Sequence, residues 1–251
     1  MAARHSARPV PWSGVVFERL HRIHIAAPDP ATAAHDFAQL LGCAPPRVPS
    51  ASVAELEVGA TRLAFGASGD GPEGMRALEF AVDDVERARA RLEPAATRGI
   101  AIEVCAGERA VSAPPPLLPG AERLDHAVVL SGDLEAAKRL YGGALGMRLA
   151  LDRSFPRRGV RILFFRLAGV TIEIAGPLAG APRSADDRFG GLAWRGSDVD
   201  AWRARLVAQG FDVSDCRAGF KPGTRVCSVR DRTHHVPTLL IAPDPDASVS
   251  G

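Results

Sequence analysis

Glu173 stands between Ile172 and Ile174 in the run Val170–Ala175. The alternation puts Val170, Ile172 and Ile174 on one strand face and Thr171, Glu173 and Ala175 on the other. A carboxylate on a half-buried strand is costly without a partner. It reads either as a contact for a metal or substrate, or as half of an ion pair with an arginine such as Arg161 or Arg166. His126 lies on another apolar stretch and has two readings, a hydrogen-bonded core histidine or a functional ligand. Glu103, in Ile100–Cys105, carries the same choice, and a solvent-facing side chain is its plainer reading. Arg22 and His24 are two residues apart on a strand-like run, so they share a face. They are either an anion contact or polar side chains plugging a disused pocket, the second being the plainer reading. Phe220, Lys221 and Arg225 lie in the loop FKPGTR. Its two cations could hold a substrate carboxylate or phosphate, although Pro-Gly is also ordinary turn chemistry.

Other chemistries find no support in the residues. No Ser/His/Asp or Cys/His constellation stands out, and Gly66–Gly74 lacks phosphate-loop spacing. The four cysteines, Cys43, Cys105, Cys216 and Cys227, have no close metal-type spacing and read as small buried apolar residues. The 251 residues are 46% hydrophobic and 24% charged, an ordinary globular profile. Net charge is +2, from 31 basic and 29 acidic residues, so charge argues for neither nucleic acid nor a membrane surface as partner. No apolar run approaches the roughly 20 residues of a membrane span. The N-terminal residues lack the apolar segment of a secretory signal, so a reducing cytoplasm is the expected location.

The elements that position these residues repeat along the chain. Ile23–Gly42 and Ala127–Gly146 both run from an apolar strand to an aspartate (Asp29, Asp133), then a helix ending in Leu-Gly. Leu78–Leu92 and Leu192–Leu206 repeat the unit around Asp84 and Asp198. Each aspartate sits where a helix N-cap is expected. Strand-like runs follow at Val53–Val58 and Arg62–Phe65, then at Arg148–Asp152, Arg161–Leu167 and Val170–Ala175. A last group is Phe211–Asp215, Arg225–Arg230 and Pro237–Ala242. The full module is strand, helix, three strands. The second copy is short, with only Ile100–Cys105 reading as strand and Arg109–Ser112 as a partial replacement for its two middle strands. The expected organisation is a tail over 1–18, a first half over 19–106, a Pro-rich linker over 107–123, a second half over 124–243 and a tail over 244–251.

Four such modules in two pairs resemble the vicinal oxygen chelate superfamily. It includes glyoxalase I, methylmalonyl-CoA epimerase, extradiol dioxygenases, fosfomycin-modifying enzymes and metal-free bleomycin-binding proteins. The resemblance runs from about Arg19 to Pro243 and is strongest over Leu124–Gly146 and Gly169–Gly176. It implies an α+β glyoxalase/bleomycin resistance/dioxygenase fold of paired βαβββ modules, four modules in two halves, the second truncated. It also implies up to two metal ligands per module, a histidine on the first strand and a glutamate on the fourth. The corresponding positions are His126 and Glu173 in the third module, Arg22 and Ala64 in the first, Ala77 and Glu103 in the second, and Gly191 and Leu239 in the fourth. The implied ligand set is therefore His126 and Glu173, joined by Glu103 if the second and third modules pair across the halves. Pairing of the first module with the second, and of the third with the fourth, is the other arrangement.

One histidine and two carboxylates would suit a single divalent metal such as Zn, Mn, Fe, Co or Ni. The resemblance then implies glyoxalase- or epimerase-type lyase or isomerase chemistry on a small organic metabolite. The intermediate would be enolate-like, with Glu173 and His126 catalytic and Lys221, Arg225, Phe220, Arg22 and His24 contacting substrate. Extradiol ring cleavage is disfavoured by Gly191 and Leu239. The alternative is a metal-free protein that sequesters a small molecule in the same cavity. Either way the expected partner is a small molecule, and the chain a monomer or homodimer.

Overall fold

The computed structural model describes residues 15–92, 97–107, 113–116, 118–178 and 186–249. Two mixed sheets carry the chain. The first holds β1 (Phe17–Ala27), β2 (Arg47–Ser50), β3 (Val53–Val58), β4 (Thr61–Ala67), β5 (Gly74–Val82) and β6 (Ala101–Ala106), in the order β2-β3-β4-β1-β5-β6. The second holds β7 (Arg123–Leu130), β8 (Arg148–Phe155), β9 (Val160–Leu167), β10 (Val170–Pro177), β11 (Arg188–Arg195), β12 (Arg217–Ala218), β13 (Thr224–Val229) and β14 (Thr238–Pro243). Its order is β12-β13-β14-β11-β7-β10-β9-β8. Helices α1 (Pro30–Leu41), α2 (Val85–Arg91), α3 (Leu134–Lys138) and α4 (Val199–Ala208) each follow the first strand of a module.

The four-module reading holds, and the order of strands settles how the modules pair. β1 lies antiparallel to β5, and β7 antiparallel to β11. The first module thus joins the second, and the third joins the fourth. The four repeated aspartates are the N-caps. Asp29 accepts from the Ala31 and Thr32 amides, Asp84 from Arg87, Asp133 from Ala136, and Asp198 from Asp200 and Ala201. α1 ends on Gly42 at φ 69°, a left-handed C-cap.

Several local expectations differ from the structure. α3 is short and widens into a π-helical turn over Arg139–Ala144, with Leu145 as its C-cap. Phe211–Asp215 forms only an isolated antiparallel bridge, Val213 to Val229, made by the Ser214 amide on the Ser228 carbonyl and the Arg230 amide on the Asp212 carbonyl. The expected replacement strand at 109–112 falls outside the described residues.

One apolar core runs through both halves. Ile23, Ile25, Leu63, Phe65, Leu78 and Phe80 face the helices in the first sheet; Ala127, Val129, Ile172, Ile174, Leu192 and Trp194 do so in the second. The alternating residues are left for the opposite faces, where the chemistry-bearing side chains stand. Between the halves, Trp202 of α4 donates its indole N–H to the Leu40 carbonyl at 2.8 Å. Arg205 donates to the carbonyls of Gln39, Leu40 and Pro119, so a cation closes the C-terminal end of α1. No helix among the described residues is long and apolar enough to cross a membrane.

Candidate functional site

On the face of the second sheet turned away from the helices, β10 runs parallel to β7. Thr171 pairs with His126, Glu173 with Val128 and Ala175 with Leu130. His126 and Glu173 are therefore diagonal neighbours, and His126 Nδ1 lies 3.5 Å from Glu173 Oε1. Both side chains are mostly buried. Burial raises the Glu173 pKa, and the Asp125 charge adds to the rise while His126 and Arg166 oppose it.

Asp125 is a partner that residue types alone did not reveal. Its Oδ2 lies 3.1 Å from His126 Nδ1, and its Oδ1 lies 3.4 Å from Arg195. Burial pushes the Asp125 carboxyl up, but the His126 hydrogen bond and the charges of His126, Arg123 and Arg195 outweigh it and hold it at about 2. An ionised carboxylate only accepts, so Nδ1 of His126 carries the proton. A chain of Arg195, Asp125, His126 and Glu173 results.

Farther along the same face, Arg188 pairs with Leu130. A cavity of about 400 Å³ opens there, lined by Leu130, Ser131, Ala175, Gly176, Asp186 and Arg188 among others. Ala175 and Leu130 are two residues beyond Glu173 and Val128, which places the cavity roughly 7 Å along the strands from the carboxyl. Arg188 is exposed and makes no ion pair among the described residues. Aromatic side chains from the two edges of the sheet also meet. Phe155 at the end of β8 and Phe220 in the β12–β13 hairpin have ring centroids 5.3 Å apart, and the Arg158 guanidinium lies 4.0 Å over Phe220.

The other expected site residues are distributed differently. Arg225 is committed to a two-point ion pair with Asp200 on α4, at 2.8 and 2.9 Å, so it is not available to a ligand in the cup. Lys221 is exposed in the hairpin, where its carbonyl accepts from the Thr224 hydroxyl. Arg161 answers Asp152 and Glu135, not Glu173. Glu103 is not brought to His126 and Glu173. It lies on β6 of the first sheet, with Oε2 3.4 Å from His24 Nε2. Arg22 and His24 share that face, and both reach Glu79 Oε2, at 3.1 and 2.9 Å.

The family pattern's metal can be tested against these donors. In the second sheet, His126 and Glu173 supply two ligands, where catalytic zinc sites use three from the protein. Opposite them, Ala193 pairs with His126 and with Leu239, and neither can ligate. Gly191 cannot be replaced by a ligand either. Its φ is +132°, and a Cβ there would collide with the Pro237 carbonyl oxygen. The residues of this cup do not fit a metal held by the protein alone.

Known proteins are similar to this chain in sequence and fold. The family described as the glyoxalase/bleomycin resistance protein/dioxygenase superfamily matches residues 125–228. An ethylmalonyl-CoA/methylmalonyl-CoA epimerase of Cereibacter sphaeroides is 32% identical over 98 residues, which cover 36% of this chain and 73% of that protein. The chain belongs to the glyoxalase/bleomycin resistance protein/dioxygenase superfamily. A triple mutant of 4-hydroxymandelate synthase from Streptomyces coelicolor has the same fold over nearly the whole length. Its TM-score is 0.65 at 15% identity, covering 90% of this chain and 93% of that one. A methylmalonyl-CoA epimerase from Mycobacterium tuberculosis covers 52% of this chain and 93% of its own, with 25% identity and a TM-score of 0.44.

Proposed function

We propose that the second sheet's cup is the active site of an isomerase or epimerase that moves a proton on a carbon next to a carbonyl. The observation that carries this reading is the buried Glu173 carboxyl, 3.5 Å from His126 Nδ1, with its proton affinity raised. A carboxylate so placed is a stronger base than one in water, which is what abstraction of a weakly acidic C–H needs. In the forward step Glu173 takes the proton and the electron pair moves onto the carbonyl oxygen. In the return step the carbonyl re-forms as the planar enolate carbon takes a proton from solvent on its opposite face, which inverts the centre, and Glu173 releases its proton to water. Asp125, anchored by Arg195, orients His126 and so keeps its N–H directed toward the carboxylates. Arg188, at the lip of the cavity, would hold a carboxylate of the substrate.

The relative of known activity acts on substituted malonyl thioesters, by its name, and these are the first compounds to try. In heavy water the protein is expected to wash deuterium into the carbon between the two carbonyl groups, read by mass spectrometry. Glu173→Gln should slow this at least about 100-fold. Thermal stabilisation by such compounds without any exchange would replace this reading with that of a binding protein, for which the apolar wall of Ala193 and Leu239 would suffice.

A further inference from the structure

We propose that the first sheet holds a divalent-cation site of its own, formed by His24 on β1, Glu79 on β5 and Glu103 on β6. One donor atom from each of the three side chains lies within 4.8 Å of the others. His24 Nε2 faces both carboxylates, at 2.9 Å from Glu79 Oε2 and 3.4 Å from Glu103 Oε2. One nitrogen and two carboxylate oxygens suit zinc, cobalt or manganese and leave positions open for water or a ligand.

The strand register explains how the group comes together. Glu79 and Glu103 are direct partners in the parallel pair β5–β6, so their side chains emerge side by side. Two like charges directly opposite each other are unfavourable without a cation between them. Arg22 is paired with Glu79 and leans toward Glu55, which Arg47 also reaches at 3.9 Å, so the arginines answer those two carboxylates and leave Glu103 to His24. Among the described residues, His24 is the one ion-pair partner of Glu103. Arg22 donates to Glu79 Oε2 in the way that outer hydrogen bonds commonly fix a ligating carboxylate.

Glu103 stands at the position the family pattern uses on its strand, whereas His24 and Glu79 each stand two residues from the pattern's positions on theirs, Arg22 and Ala77. A second group, His21, Glu79 and Cys105, borders it. A β-bulge explains that group: Leu20 pairs with Phe80 and Arg22 with Glu79, which re-aims His21 toward Glu79. The two groups share Glu79, so a cation held by that carboxylate engages one group or the other.

The test is a titration of tag-free, chelator-stripped protein with Co(II) and Zn(II), followed by calorimetry and by the visible bands of Co(II). One equivalent is expected to bind. His24→Ala and Glu103→Gln should each weaken binding at least about tenfold, and His126→Ala should leave it unchanged. Glu103 is exposed, so its variant keeps the fold, which circular dichroism will verify. Absence of binding at millimolar cation overturns the proposal. Binding that survives both His24→Ala and Glu103→Gln, or that is lost in His126→Ala, overturns it equally. The deuterium-exchange measurement on the second sheet is independent, so failure of either reading is distinguishable from failure of the other.

Discussion

Glu173 and Asp125 lie on either side of His126 and are shifted in opposite directions. Glu173 has a raised pKa, first because of burial, so its neutral form is favoured by the fold. Exchange catalysed by the protein should therefore rise with pH through a value above the 4.5 of a free glutamate, and the limb should disappear in Glu173→Gln. A pH–rate profile checks both. Asp125 is the opposite case: its pKa falls from 3.8 to about 2 because the His126 bond and the nearby arginines outweigh burial. Its stabilisation is present above about 4 and is lost as pH falls toward 2. Asp125→Asn should remove roughly 1–2 kcal/mol of stability at neutral pH and flatten the acid limb of a denaturation series.

At the scale of elements, α4 matters most for holding the site still. It carries Trp202, fully buried and bonded to the end of α1, and Arg205, which closes that helix. Trp202→Ala should cost about 3–5 kcal/mol, read by urea denaturation, because it opens a cavity and leaves the Leu40 carbonyl without its donor. The β12–β13 hairpin acts on the other side of the same sheet. Phe220 is half exposed yet meets Phe155 edge to face and lies under Arg158, joining the two edges of the sheet. Phe220→Ala should change stability by less than about 1 kcal/mol but raise the concentration of ligand needed for half-saturation several-fold. Equal loss of stability and affinity would instead make the contact purely structural.

At the scale of the whole molecule, the halves share one core and several polar joints. Arg98 donates two hydrogen bonds to Asp187, both at 3.1 Å, and the Asp187 side chain is fully buried. His234, with φ +47°, is held by Asp36 of α1 at 2.8 Å. The two sheets are therefore expected to unfold in one cooperative transition. Arg98→Ala should cost about 3–5 kcal/mol, because it leaves a buried carboxylate without its partner. Calorimetry on that variant should also show whether the single transition splits.

Much of this was legible in the chain of residues because it is local. A strand's alternation, an aspartate that caps the next helix and a glycine that ends it depend on neighbours a few residues away, so the four modules and the shared face of Arg22 and His24 could be read directly. His126 and Glu173 were reachable because the module repeats and its strand pairing is short-range. What only the tertiary structure decided was which modules share a sheet, since β1–β5 and β7–β11 pairing depends on contacts far apart in sequence. That choice took Glu103 away from His126 and set it beside His24 and Glu79. It also tied Arg225 to Asp200 and placed Asp125 and Arg188 around the cup. Burial gives Glu173 its raised proton affinity, and burial is a property of the packed sheets, not of any one strand.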